Sequence, residues 1–298
     1  MSASLKAHLA LFTVALIYGA NFTIAKIVLD DGYLHPVGFI SLRIFAGALL
    51  FYIFHRLFIK ERINRKDLPL LLVCALCGVV LNQLFFFIGL KETTPINASL
   101  IMTTTPILIL IISAMLIGER VNSLKILGIL AGAVGAILII SAGKTISFES
   151  AQTFGDFLVF INACVYGLYL VLVKKLMQKY HPITVIKWVF AIGCVIVLPF
   201  GTPYLLETNW DSFPTTVVFA VFYVLLFTTF FTYLLNALAL QHVSASIVGI
   251  YIYLQPLIAS TIALVLGNDE LTSLKIFAAI LIFLGVFLVS APFSSTKE

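Results

Sequence analysis

The sequence predicts an all-α integral membrane protein whose ten transmembrane helices form two inverted five-helix repeats. Three observations predict it. Hydrophobic residues make up 61% of the 298 residues and charged residues only 10%, whereas a water-soluble domain carries about 25% charge. With a mean hydropathy of +1.13, a globule of this size could not cover its surface with polar groups. The apolar residues fall into ten runs, each near the ~20 residues that a helix needs to cross a ~30 Å hydrocarbon core. The second half of the chain also repeats the first. This composition excludes a disordered chain, a collagen-like fibre and a disulfide-stapled secreted domain, and it argues against a cytosolic enzyme.

The runs follow in order. Span one, Leu5–Leu29, is too long for the apolar region of a signal peptide and carries Asn21 and Lys26. Span two, Pro36–Phe58, carries Arg43. Span three, Leu68–Leu90, holds Asn82 and Gln83, with Cys74 and Cys77 at redox-motif spacing. An apolar run lacks the βαβ setting and polar neighbours of such a motif, so these are core thiols. Span four, Ile96–Ile117, places Thr103-Thr104-Thr105 before Pro106. Span five, Leu124–Ala142, presents a small-residue face through Gly128, Gly132 and Gly135, suited to close helix packing. The Gly/Ser/Thr-rich connection Gly143–Thr153 then divides the chain nearly in half. Span six, Phe154–Leu176, carries Tyr166 and Tyr169, and span seven, Ile183–Leu206, carries Lys187 near one end. Span eight, Thr215–Leu240, carries Tyr233 and Asn236. Span nine, Ser244–Leu266, carries Tyr251, Tyr253 and Gln255 before Pro256, and span ten is Leu274–Pro292. Spans five and ten, without polar centres, are expected as peripheral support or as a homodimer contact.

Self-similarity gives the organisation. Ser123-Leu124-Lys125-Ile126 recurs as Ser273-Leu274-Lys275-Ile276, Pro106 matches Pro256, and Leu90 matches Leu240. With slightly smaller offsets, Tyr18-Gly19 matches Tyr166-Gly167, Lys26 matches Lys174, and His35-Pro36 matches His181-Pro182. The expected domains are therefore residues 1–145 and 153–293, with 294–298 as a short cytoplasmic tail. A unit of five spans reverses direction across the bilayer, so the second copy is inverted. Inverted repeats are characteristic of secondary transporters with a site near the midplane.

Charge sets the orientation. With the N-terminus inside, twelve Lys and Arg residues fall in inside connections and three, Lys91, Lys144 and Lys275, in outside ones. The positive-inside bias therefore puts both termini in the cytoplasm, and the expected location is a plasma membrane, a bacterial inner membrane. The net charge of +5 reflects this topology and not a nucleic-acid partner. No aspartate or glutamate lies in the middle of a span, so a relay built on a buried carboxylate has no carrier. The five histidines are scattered, and neither a metal site nor a cofactor is expected.

These residues resemble an EamA-type member of the drug/metabolite transporter superfamily over the whole chain. The resemblance rests on Tyr18-Gly19-Ala20-Asn21-Phe22, Arg43, the mid-span Pro106 and Pro256, and Gly118-Glu119-Arg120 closing span four. Tyr18 stands where the family usually has tryptophan, and Asn268-Asp269-Glu270 replaces the second Gly-Glu. The resemblance implies alternating-access transport of small polar metabolites, above all export of amino acids or their derivatives. It also implies a cavity lined by spans one, three, four, six, eight and nine.

The polar residues of those spans are the candidate cavity set: Asn21, Asn82, Gln83, Thr103, Tyr166, Tyr169, Tyr233, Asn236, Tyr253 and Gln255. Amide and tyrosyl groups replace the water of a polar solute and cover its apolar parts without fixing a charge; interhelical hydrogen bonding is the alternative use. Lys26 and Arg43 could receive the carboxylate of an amino or organic acid. Alternatively they snorkel to the outer interface near Asp30 and Asp31. Pro106 and Pro256 free backbone carbonyls one turn earlier and are candidate hinges or gates, with simple helix curvature as the alternative. Uptake or exchange of a sugar, or of a phosphorylated or nucleotide-linked sugar, would want several cations in the cavity. A membrane-embedded enzyme would want paired acids or a histidine cluster, and a receptor would leave the inverted repeat unexplained.

Overall fold

The computed structural model describes residues 3–30, 32–118, 122–141, 151–265 and 273–290, and among them every regular element is a helix. In chain order these are α1 (Ala3–Asp30), α2 (Pro36–Phe58), α3 (Arg65–Glu92), α4 (Pro95–Leu116), α5 (Ser123–Ser141), α6 (Ala151–Met177), α7 (Pro182–Leu206) and α8 (Thr215–Leu240). Two shorter pieces, Ala245–Ile252 and Gln255–Val265, form α9, and Ser273–Ser290 forms α10. Seven of these, α1 to α4 and α6 to α8, are long and apolar enough to cross a membrane. The fifth, ninth and tenth apolar runs are helical but fall short of that measure within the described residues. Span nine in particular is not one helix, because it breaks at Tyr253-Leu254. Glu119 and Arg120, the Asn268-Asp269-Glu270 motif, Lys144 and the tail 294–298 lie outside the described residues.

Local chemistry explains why the elements start and stop where they do. Pro36 and Pro182 occupy the first turn of α2 and α7, where a missing N–H costs nothing. The preceding His35 and His181 each accept, through Nδ1, the N–H two residues on, at 3.3 Å in both cases. Thr94 and Ser244 likewise cap α4 and α9, accepting from Asn97 N and Ile247 N. Gly118 ends α4 with φ +64, a conformation open to a residue without Cβ.

The helices pair chiefly across the two halves of the chain: α1 with α8 and α9, α2 with α7, α3 and α4 with α6, and α5 with α10. Helices α2 and α7 run antiparallel. The His35 ring at the start of α2 stacks 3.8 Å from Tyr204 near the end of α7. At the other end His181 N donates to Glu61 Oε2 at 2.9 Å. The small-residue face of α5 is occupied from within the chain: a Cβ at Gly285 of α10 would meet Gly128 O at 2.5 Å and Gly132 N at 2.8 Å. Within the chain this face therefore serves close helix packing.

Polarity is arranged for a lipid environment. Phe45, Tyr52, Leu57, Val195 and Phe219 face outward, whereas Asn21, Arg43, Gln83, Asn162, Thr228 and Gln255 are buried. In hydrocarbon, polar groups are driven inward, where other polar groups can satisfy them.

Candidate functional site

The inward polar residues converge on one central cavity of about 50 Å³, enough for a few waters or a very small solute in this conformation. Helix α1 contributes Tyr18, Asn21 and Phe22, α2 contributes Arg43, and α3 contributes Asn82, Gln83, Phe86 and Phe87. The opposite walls are Met102 of α4, Asn162 and Tyr166 of α6, Thr228 and Tyr233 of α8, and Gln255 of α9. Both halves of the chain therefore line it.

Irregular helix turns place these groups. Within α3, Leu76–Val80 is a π-helical turn, and within α8 the corresponding turn is Val224–Phe231. A π turn widens the helix by one residue and frees carbonyls, a feature frequent at functional sites. Each turn is held by a side chain from the other half. Tyr233 Oη donates to Gly78 O at 2.7 Å. Arg43 Nε donates to Thr229 Oγ1 at 2.9 Å, and that hydroxyl donates to Val224 O at 2.8 Å. Proline breaks recur in the same paired way. Pro106 follows the 3-10 turn Met102–Thr104, and Pro256 follows the break at Tyr253-Leu254. Tyr253 N and Leu254 N then donate to carbonyls three residues back, Ile250 O and Tyr251 O.

The wall combines fixed groups with unsatisfied ones. Thr228 Oγ1 donates to Asn21 Oδ1 at 3.0 Å, and Asn162 Nδ2 donates to Asn82 O at 2.6 Å. Asn162 Oδ1 and both ends of the Gln83 carboxamide are buried without a hydrogen-bond partner among the described residues, as is Asn236 Oδ1 in the small cavity next to it. Buried polar groups are rarely left so, and these are the groups a solute could satisfy. The guanidinium carbon of Arg43 lies 4.5 Å from the centroid of Phe87.

The structure brings Asn21, Asn82, Gln83, Tyr166, Tyr233 and Gln255 together in the central cavity, and Arg43 with them. Arg43 is 4% exposed, so it does not snorkel. Tyr169 and Asn236 line a small adjoining cavity shared with Tyr18, Tyr166 and Tyr233. Two candidates lie off the central cavity. Thr103 is fully buried and turns its hydroxyl back to Leu100 O. Tyr253 is fully buried away from the cavity, against Gly132. Lys26 is a third that lies off it. Its Nζ donates to the carbonyls of Leu90, Lys91 and Thr93 at 2.8–2.9 Å, and it does not line the cavity. Asp31 lies outside the described residues. Tyr18, Phe22, Phe86, Phe87, Met102, Asn162 and Thr228 also line the cavity and were not among the candidates. Helical spacing could have found several of them, since Tyr18 and Phe22, Asn82 and Phe86, Gln83 and Phe87, and Asn162 and Tyr166 are each four apart. Among the described residues no group of three or more His, Cys, Asp or Glu could hold a metal ion.

Known proteins match along the whole chain. The family described as "EamA-like transporter family" matches twice, at residues 5–141 and 153–291. An uncharacterized transporter of Archaeoglobus fulgidus is 28% identical, covering 96% of this chain and 98% of its own. The uncharacterized transporter YyaM of Bacillus subtilis is 26% identical, over 99% and 98% of the two chains. A crystal structure of a protein at 18% identity superposes with a TM-score of 0.73, covering 97% of this chain and 98% of that one. At that identity the likeness is one of fold.

Proposed function

Because this chain belongs to the EamA-like transporter family, we propose that it is a secondary transporter working by alternating access around the central cavity. In this reading ten spans form two inverted five-helix repeats in a plasma membrane, with both termini cytoplasmic. The observation that carries it is the cavity itself, walled by both halves of a duplicated chain and braced by a π turn from each. The antiparallel pairing of α2 with α7 supports the inversion, since His35-Pro36 and His181-Pro182 start the two helices in the same way. Rocking one half against the other would open the site first to one side and then to the other.

The solute we infer is an amino acid or a derivative, and the direction is export. Amide and tyrosyl groups with aromatic walls suit a small amphipathic molecule, and a single cation suits one acid group. A phosphorylated or nucleotide-linked sugar would want more positive charge than Arg43 supplies. Counterflow in proteoliposomes tests this with a panel of radiolabelled amino acids and sugars. Saturable exchange of an amino acid is the expected result. Exchange confined to sugars would overturn the solute class, and exchange of nothing in liposomes holding folded protein would overturn the transport reading.

A further inference from the structure

Arg43 is the one charged side chain among the residues lining the central cavity, and no aspartate or glutamate lines it alongside. Its placement is built. Nε is held by Thr229, whose own proton is committed to Val224 O, so the hydroxyl oxygen is turned toward the guanidinium. Phe87 covers the group from 4.5 Å. One edge and one contact with an aromatic ring are thereby fixed. The Nη groups hydrogen-bond no other group among the described residues. A buried cation without a counter-charge is costly in an apolar surround, and such groups in membranes mark solute or ion pathways. On the same cavity wall, Gln83 is 2% exposed and its carboxamide lies beside Tyr233 without reaching hydrogen-bonding geometry at either end.

We propose that Arg43 and Gln83 form the receptor for a single carboxylate on the transported solute. The guanidinium donates from both Nη groups to the two carboxylate oxygens, the planar fork that arginine presents and lysine does not. Gln83 Nε2 donates a further bond, and Gln83 Oε1 accepts from a donor such as the solute's ammonium group. One cation matches one negative charge. A phosphate dianion would leave charge unpaired in the cavity, so the receptor selects carboxylates over phosphate esters. The walls of Tyr18, Phe22 and Phe86 cover the apolar remainder. This assignment rests on the cavity being the transport site.

The test uses solute pairs that differ at the acid group, L-leucine against L-leucinamide and L-phenylalanine against L-phenylalaninamide, with 4-methylpentanoate, inorganic phosphate and chloride alongside. Binding is read as saturable thermal stabilisation of the purified full chain. Carboxylates are expected to bind about tenfold or more tighter than their amides. Arg43→Gln is expected to weaken carboxylate binding about 30-fold or more and to abolish the acid-over-amide preference. Arg43→Lys keeps the preference at lower affinity. Gel filtration and melting establish that each variant is folded, and the acid–amide comparison in the unaltered chain stands without any variant. Equal binding of acids and amides overturns the proposal, as does saturable binding by none of the carboxylates. So does a folded Arg43→Gln that still discriminates, or phosphate as the only anion bound. Counterflow separates this failure from that of the transport reading. Where Asn82→Ala and Tyr166→Phe impair a solute that Arg43→Gln leaves untouched, the cavity stands and the carboxylate assignment falls. Where no cavity substitution alters flux, the cavity reading itself falls.

Discussion

Lys26 and Lys174 do the same work in the two halves of the chain. Lys26 Nζ donates to Leu90 O at 2.9 Å, and Lys174 Nζ donates to Leu240 O at 2.8 Å. Leu90 and Leu240 are themselves matched positions of the repeat. Lys26 also reaches Thr93 O, and Lys174 reaches Val243 O, again a matched pair. The last carbonyls of a helix have no partner inside it and carry partial negative charge, so an ammonium group there satisfies both deficits. Each lysine thus ties the end of the first helix of its half to the end of the third.

This arrangement predicts a stability role without a role in solute binding. Charge-assisted hydrogen bonds contribute roughly 1.5–3 kcal/mol each, and carbonyls left unsatisfied in a buried setting cost a similar amount. Lys26→Met and Lys174→Met should each destabilise the folded chain by about 2–4 kcal/mol, seen as an earlier melting transition in detergent. Solute affinity of the surviving folded protein should match wild type. A selective loss of binding in Lys26→Met at unchanged melting temperature would return Lys26 to the list of anion contacts.

Much of the fold was legible because hydrocarbon imposes a length and a polarity on every span. The helix Pro36–Phe58 has the bounds of its apolar run, since Pro36 starts the helix and the charged connection beyond Phe58 stops it. The break in span nine was not legible from hydropathy. Tyr253-Leu254 is as apolar as its surroundings, and only the following Pro256 signals a lost N–H. The cavity was read partly. Asn82, Gln83 and Gln255 stood out as amides within apolar runs, whereas Phe86 and Phe87 are chemically indistinguishable from lipid-facing phenylalanines until the π turn sets their direction. For Lys26 the sequence reports a charge near a span end but not the carbonyls that fold back to meet it.

Sidedness follows from the charge bias and is open to direct measurement. Single cysteines at Asn64 and Asn122, in a background where Cys74, Cys77, Cys164 and Cys194 are replaced, should react with an impermeant maleimide only from the cytoplasmic side. A cysteine at Asn209, in the connection after α7, should react only from the opposite side. Labelling of Asn64→Cys and Asn209→Cys from one and the same side would rule out the proposed topology.

The paired prolines should govern rate more than affinity. Pro106 and Pro256 each restart a helix just beyond an irregular turn that borders the cavity, at Met102 and Gln255. Restoring an N–H in Pro106→Ala or Pro256→Ala lets the helix close its i to i−4 bond and straighten. Turnover in counterflow should change severalfold while equilibrium binding stays within about twofold, a difference of under ~0.5 kcal/mol. Wild-type turnover and affinity in both variants would mean that the prolines shape the helices without moving.

The amide groups should govern affinity instead. Asn82 and Gln255 come from opposite halves of the chain yet line one cavity, so each can reach a solute held between the halves. Removing a hydrogen bond to a buried solute group costs about 1–3 kcal/mol, which is roughly 5- to 150-fold in affinity. Asn82→Ala and Gln255→Ala should each weaken binding in that range while expression and melting temperature hold. Asn82 also acts through its backbone. Its backbone carbonyl already receives Asn162 Nδ2 at 2.6 Å, a bond that Asn82→Ala leaves in place, so the substitution reports on the side chain alone. Asn162→Ala removes that brace and should lower both stability and affinity. If Asn82→Ala and Gln255→Ala instead bind as wild type while Asn162→Ala loses only stability, the amides serve to hold helices together, and the solute must be recognised by the aromatic walls and Arg43.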